Sequence, residues 1–349
     1  TVPLSLAEEE VLGAIDQGWL VDHVTRLVAF PSFGGDEGPA QEFMAELLDD
    51  VGFEVDVWTI DESALGSHPA YCSELERKDP LGVVGRRSGS RSGPTLVFNG
   101  HVDVVPPGDL AGWVDPPFRC VEREGRLYGR GVLDMKGPLV AALAGVRAVT
   151  QRAPDFGGTL LFQSVIGEED GGLGTLASVL RGHTGDGAVV LEPTSLAVAS
   201  AQAGALNFRL AVPGKAAHGA LRHEGVSAIE KFIYLHDVLM ALEQERNRTV
   251  TDPRFDHLPS PYAICLGTIE GGEWASSVPE RVSAAGRFGV PVGEDVAAAR
   301  GVLESTIATA CRSDEFLCSQ PAEVTWWGGQ FAPCETEPEH DVVRVALEV

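Results

Sequence analysis

The spacing of apolar residues divides this chain into two regions of different pattern. Ser5-Leu-Ala-Glu8 has the form of a capping box, and the periodicity behind it predicts one or two helices before Pro31. Residues 39–51 predict a further helix stopped at Gly52, and 53–60 alternate as a strand. Residues 61–94, rich in Gly, Ser, Arg and Pro, predict a loop region with at most short strands. Leu96-Val-Phe-Asn-Gly-His-Val-Asp-Val-Val-Pro106 then carries near-continuous apolar residues into His101 and Asp103. Such a run is the pattern of a strand buried on both faces. A helix over 138–151, a strand over 159–166, a helix over 173–181 and a strand over 188–191 follow. This alternation predicts an α/β fold built on a mostly parallel, helix-covered sheet.

After Ser195 the pattern changes. Strands are predicted at 205–212, 264–269, 282–290 and 323–327, with helices at 226–246 and 294–311. The order β-α-β-β-α-β is that of a ferredoxin-like α+β domain. The chain therefore reads as 1–199, an inserted 200–329, and a return over 330–349.

Charge narrows the choice of partner. With 26 basic and 51 acidic residues the formal net charge is −25, which disfavours nucleic acid and anionic membranes. No apolar run approaches the roughly 18–20 residues of a membrane span, and no basic-then-apolar signal peptide opens the chain. The six cysteines are scattered without a CxxC pair, so a cytoplasmic protein with reduced thiols is expected.

The chemistry gathers at the ends of the predicted strands. His101, Asp134, Glu168, Glu169 and Glu192 come from four segments, each at a strand end or in the loop beyond it. Open α/β sheets bind ligands there. Each residue alone has an ordinary explanation: a core histidine, a helix N-cap, a solvated turn, a strand-to-loop junction. Their joint occurrence does not. Carboxylates converging on one crevice need cations to stay charged, and one imidazole among them points to zinc or a related divalent ion. A carboxylate can bridge two ions about 3.5–4 Å apart, while another left unbound takes a proton from water. Neighbouring residues at a strand end point opposite ways, so Glu168 and Glu169 can divide ligand and base between them. Asp103, two positions after His101, suits the task of fixing the imidazole's tautomer.

Gly100-His-Val-Asp-Val-Val-Pro106, Gly129-Arg-Gly-Val-Leu-Asp-Met-Lys-Gly137, Glu168-Glu-Asp-Gly-Gly172, Leu191-Glu-Pro193 and Gly214-Lys-Ala-Ala-His218 resemble the motifs of the dinuclear zinc amidohydrolases. That family includes acetylornithine deacetylase, succinyl-diaminopimelate desuccinylase, aminoacylase and glutamate carboxypeptidase. The resemblance implies a catalytic domain with an inserted lid through which the protein forms a homodimer. It implies two divalent ions, zinc first, with cobalt or manganese as alternatives. His101 and Glu192 would hold one ion, Asp134 would bridge, Glu169 would hold the second, Glu168 would be the general base and Asp103 would orient His101. His218, in the lid, would reach across the dimer to the oxyanion.

The sequence departs from the family pattern in one place. The family's second ion takes a histidine from a segment after the lid. Here only His340 lies beyond residue 330, in Glu337-Pro-Glu-His-Asp, which resembles the entry to a helix. The resemblance therefore implies an incomplete return, with the missing ligand beyond Val349. Arg287, on a predicted lid strand, suits a carboxylate clamp. Gln202 stands where the desuccinylase branch places an arginine, which disfavours a di-acid substrate. The resulting expectation is a deacylase of N-acyl amino acids like acetylornithine deacetylase. A metallo-carboxypeptidase or dipeptidase, a desuccinylase, and a catalytically dead binding protein of the same fold are the alternatives.

Overall fold

The leading apolar stripe forms two helices, Leu6–Leu12 and Gln17–Val28, in the computed structural model, which describes residues 4–248, 250 and 252–348. The capping box closes reciprocally: Ser5 Oγ accepts from the Glu8 amide, and the Glu8 carboxylate accepts from the Ser5 amide. A third helix, Gly38–Val51, buries Phe43, Met44, Leu47 and Leu48 and ends on Gly52 at φ 91°, a left-handed turn that glycine adopts without strain. The chain divides into two compact units, Thr1–Ala199 with Glu337–Val349, and Ser200–Thr336.

In the first unit five strands lie in the order Glu54–Thr59, Leu81–Ser88, Gly157–Val165, Arg91–His101, Gly187–Val190. The last three run parallel to one another. Leu81–Ser88 is antiparallel to both its neighbours, so it alone is reversed and the sheet is mainly parallel. Helices Gly38–Val51 and Gly137–Arg152 contribute Met44, Leu48, Leu139 and Leu143 to a core with Val83 and Phe162.

Leu81–Ser88 corrects the reading of residues 61–94 as mostly loop. The glycines that suggested turns are instead points of close approach. A Cβ on Gly82 would lie 2.3 Å from the Trp58 ring, and one on Gly85 3.0 Å from Phe53. Glycine in a strand commonly marks such a contact.

Parallel pairing sets His101 beside Val165 and Asn99 beside Val190. The carboxyl ends of three adjacent strands therefore lie together, and the acidic residues follow within a few positions of each end. The last helix of this unit is Asp341–Glu348, and His340 Nδ1 accepts from the Val342 amide at its start. Val349, on which the expectation of an incomplete return turns, lies outside the described residues.

The second unit is a four-stranded antiparallel sheet in the order Glu323–Phe331, Gly204–Pro213, Arg281–Val290, Ile264–Gly271. In chain order this is 4-1-3-2, the ferredoxin-like arrangement. Leu206, Phe208, Leu210 and Val212 alternate onto one face and pack against helices Ala228–Arg248 and Val296–Arg312 through Leu235, Leu239, Leu303 and Ile307. Asn207 and Arg209 fall between them, on the opposite face. Cys334–Glu335 pairs with Ala201–Gln202, which carries this unit on to Thr336.

Candidate metal centre

His101 ends its strand with 1% of its surface exposed. Its Nδ1 donates to the Asp103 main-chain carbonyl at 2.9 Å, so Nδ1 carries a proton and Nε2 faces outward. Around Nε2 stand Asp134 Oδ1 at 3.1 Å, Glu192 Oε1 at 3.7 Å and Glu168 Oε2 at 3.9 Å. One donor atom each from His101, Asp134 and Glu169 lie within 4.8 Å of one another, and the same holds for His101, Glu168 and Glu192. His101 is the one imidazole in either group among the described residues.

Each acid is delivered by its own backbone device. Asp134 sits in the kinked turn Val132–Lys136 with φ −124° and ψ 99°, before helix Gly137–Arg152 begins. It is therefore no N-cap: the cap position is Lys136. Glu168 and Glu169 occupy the turn after strand Gly157–Val165, which Gly167 (φ 68°) and Gly172 (φ 82°) let close. Glu192 follows strand Gly187–Val190, and the Leu191 amide donates to Asn99.

The electrostatics are those of a cluster with too much negative charge. Burial and the neighbouring acids push Glu168 up to about 7, against the pull of His101. Burial, then Asp134, does the same for Glu169, also to about 7. Glu192 is raised by burial and the same neighbours. Burial alone would lower His101, but Asp134, Asp103, Glu168 and Glu192 carry it up to about 10. Asp134 is held below the ordinary carboxylate range, chiefly by its hydrogen bond to His101. An imidazole lone pair 3.1 Å from a carboxylate oxygen is repulsive unless a cation or a proton stands between them. The donor set of one nitrogen and four carboxylates thus fits divalent cations.

Asp103 meets His101 through its backbone more closely than through its side chain. It is its main-chain carbonyl that receives His101 Nδ1–H; the carboxylate Oδ1 lies 3.6 Å from Nδ1. The carboxylate instead accepts from the Glu169 amide through Oδ2 at 3.0 Å, while Oδ1 is buried without a hydrogen-bond partner. Burial is the main reason its pKa is raised.

Two supporting residues escaped the sequence reading. Arg77 donates to Glu37 at 3.2 and 3.3 Å and grips Asp170 with both terminal nitrogens, which anchors the turn next to Glu169. It lies in the supposed loop region and nothing in its spacing marks it. Lys136 is fully buried and donates from Nζ to Phe30 O at 2.7 Å. Burial lowers it to about 7, against the pull of Asp103. It stands inside Asp134-Met-Lys-Gly137, so the motif held the signal but assigned it no task.

His218 and Arg287 belong to the second unit. His218 is exposed on the two-residue strand Ala217–His218, and its Nδ1 accepts from the Ala220 amide at 3.1 Å, which leaves Nε2 as the donor. Arg287 is exposed on strand Arg281–Val290 and lines a cavity of about 1110 Å³ together with Asn207, Arg209 and Trp327. All six cysteines are free thiols. No helix among the described residues is long and apolar enough to cross a membrane.

The chain is similar to known proteins. Over 227 residues the chain is 35% identical to a succinyl-diaminopimelate desuccinylase of Methylorubrum populi, a match covering 62% of this chain and 55% of that protein. The chain thus spans about half the length of that relative. It is 28% identical to an N-formyl-4-amino-5-aminomethyl-2-methylpyrimidine deformylase of Halalkalibacterium halodurans, over 98% of this chain and 81% of that protein. In fold it is similar to an M20 family metallo-carboxypeptidase of Sulfolobus solfataricus, with a TM-score of 0.71 at 14% identity, covering 94% of this chain and 82% of that one. The model of Peptidase family M20/M25/M40 matches residues 97–349, a span that takes in His101, all four clustered acids and the whole second unit, and the chain belongs to that family.

Proposed function

We propose that this chain carries a metal-dependent amidohydrolase that cleaves the amide bond of N-acyl amino acids in the cytoplasm. The observation that carries the reading is the convergence of Asp134, Glu168, Glu169 and Glu192 on the Nε2 side of His101, with more negative charge than one imidazole can offset. His101 and Glu192 would hold one divalent ion and Glu169 a second, with Asp134 shared between the two; zinc would suit this set first, then cobalt or manganese. When bound, such ions polarise an amide carbonyl and acidify water.

The chain's own residues do the rest. Glu168 takes a proton as water adds to the amide carbon, and returns it to the nitrogen as the C–N bond breaks, giving a free amine and a carboxylate. Asp103 holds the Glu169 amide and, through its carbonyl, the His101 tautomer. His218 donates from Nε2 to the oxyanion of a substrate held by a second copy in a homodimer. Arg287 grips the substrate carboxylate. Two relatives bear the names of a desuccinylase and a deformylase, which favours an acyl amide over the peptide of a carboxypeptidase or dipeptidase.

The test is turnover of N-acetylated ornithine, methionine and glutamate against dipeptides, with bound metal measured alongside. Glu168→Gln should keep its metal and lose about 10²–10⁴-fold in kcat. Near-normal hydrolysis by this variant with metal bound would exclude Glu168 as the proton carrier. No turnover of any acyl amide by the metal-loaded wild-type chain would favour a binding protein.

A further inference from the structure

The turn that delivers Glu168 and Glu169 lies between strand Gly157–Val165 and helix Leu173–Leu180, and it contains Gly167, Gly171 and Gly172, all at positive φ. Such a stretch is pliable by composition, because glycine has more backbone freedom to lose on folding than any other residue. Yet each of its two glutamates places an oxygen within 4.8 Å of the His101 imidazole. One hold on the turn is Asp103, whose Oδ2 accepts from the Glu169 amide. A second comes from residues 72–77, a segment that is neither helix nor strand.

Arg77 is the centre of that second hold. Its side chain is 1% exposed, and all five of its N–H donors are used. Nε and Nη2 donate to Glu37 at 3.3 and 3.2 Å. Nη1 donates to Ser73 at 3.2 Å and to Asp170 at 3.1 Å, and Nη2 donates to Asp170 as well. Glu37 is the N-cap residue of helix Gly38–Val51, whose Met44 and Leu48 sit in the core, so the grip on the turn is tied to a firmly packed element. The approach is close: a Cβ on Gly167 would lie 2.9 Å from Arg77 Nη2, and one on Gly171 2.1 Å from the Cys72 carbonyl oxygen. The Glu74 amide donates to Asp170 O at 3.2 Å, and Cys72 Sγ donates to Gly171 O at 3.1 Å.

A buried ion cluster is a poor source of net stability, since the cost of taking its charges out of water offsets most of their attraction. What it supplies is direction. A guanidinium fork on a carboxylate fixes distance and angle together, which an apolar contact does not. We propose that Arg77 is a positioning residue of the metal centre: by gripping Asp170 it sets where Glu169 and Glu168 point. As an effect on catalysis the role rests on the amidohydrolase reading; as a hold on the ligand Glu169 it does not. Metal–ligand distances tolerate errors of about 0.2 Å, and a reacting group misplaced by about 1 Å loses on the order of 10²-fold in rate. A shift of this turn too small to unfold the unit is therefore large for the chemistry.

The experiment uses Arg77→Lys, which keeps a cation between Glu37 and Asp170 but replaces the fork with a single nitrogen. Zinc affinity of the full chain is measured by competition with a chromophoric chelator, beside urea unfolding and, on an N-acyl amino acid, kcat and KM. Arg77→Lys should stay folded, bind its more weakly held zinc about 10–100-fold less tightly, and lose a similar factor in kcat at saturating zinc with KM within about twofold. Asp170→Asn should reproduce this, and the double variant should lose no more than either alone, because both break one contact. If Arg77→Lys does not fold, Asp170→Asn, which leaves Arg77 on Glu37, carries the test. Arg246→Lys, in the second unit's pair with Glu294, is the control for loss of a structural arginine: it should unfold more readily and keep its zinc affinity. Unchanged zinc affinity in the folded variants, unchanged kcat beside an active wild type, additive losses in the double variant, or an equal loss of zinc in Arg246→Lys would each overturn the proposal. Because zinc is read without turnover, weakened zinc in Arg77→Lys with no hydrolysis by any form would sink the amidohydrolase reading and leave this one standing.

Discussion

The two units set opposite electrostatic problems and bury them to different depths. In the first, acids crowd a histidine at the ends of three parallel strands, and the charges that support them are nearly inaccessible: the side chains of Arg77 and Glu37 are 1% and 3% exposed. In the second, Arg209 and Arg287 lie in the open on a sheet face, with the Arg209 guanidinium over the Trp327 ring. A buried charge without its partner strains the fold itself. An exposed one costs the fold little and stays available to a ligand. The contrast therefore separates charges whose removal unsettles the fold from charges whose removal does not.

The harshest test of that contrast is removal of divalent ions. Chelation should abolish hydrolysis and leave the fold of the second unit intact, as read by activity and by hydrogen exchange of its core strands. Restoring zinc should restore turnover. Next in size is Arg77→Met, which strands Glu37 and Asp170 without their shared cation. Breaking a buried pair in this way costs about 3–5 kcal/mol, to be measured by urea unfolding. A loss below about 1 kcal/mol would erase the distinction between the units.

A smaller effect is expected where the first unit is itself exposed. Asp56 pairs with Arg181 at 2.7 Å and His183 at 2.9 Å, with its side chain 36% exposed. Its pKa is lowered, chiefly by the Arg181 hydrogen bond. The stability it adds is present above its unfolded pKa of about 3.9 and is lost as pH falls through the lower folded value. Asp56→Asn should thus cost less than about 1 kcal/mol at neutral pH, with the difference from wild type vanishing in acid. The smallest effect belongs to Arg287→Gln, which should change unfolding free energy by no more than about 0.5 kcal/mol while weakening ligand binding. A large destabilisation there would mean that this arginine holds the sheet together.

What the sequence disclosed depended on how local each signal was. His101, Asp134, Glu168, Glu169 and Glu192, which the structure brings together, could be singled out because each stands at a strand end or in the loop beyond it, and the order of strands and helices sufficed for both folds. The strand Leu81–Ser88 was not legible, since Gly82 and Gly85 read as turn formers until Trp58 and Phe53 are packed over them. Arg77 was invisible because its partners are 40 and 93 positions away. Asp103 was found for the right neighbour and the wrong atom: a sequence names side chains, and the contact to His101 is made by the backbone.

The clasp at the base of the second unit has a consequence of a practical kind. Ala201–Gln202 pairs with Cys334–Glu335, and the Thr336 amide donates to Ser200 at 2.8 Å, so this stretch of chain leaves where it arrived. A segment whose two ends touch can be lifted out and grafted elsewhere, or its ends joined and a new opening cut in one of its turns, with little cost in loop closure.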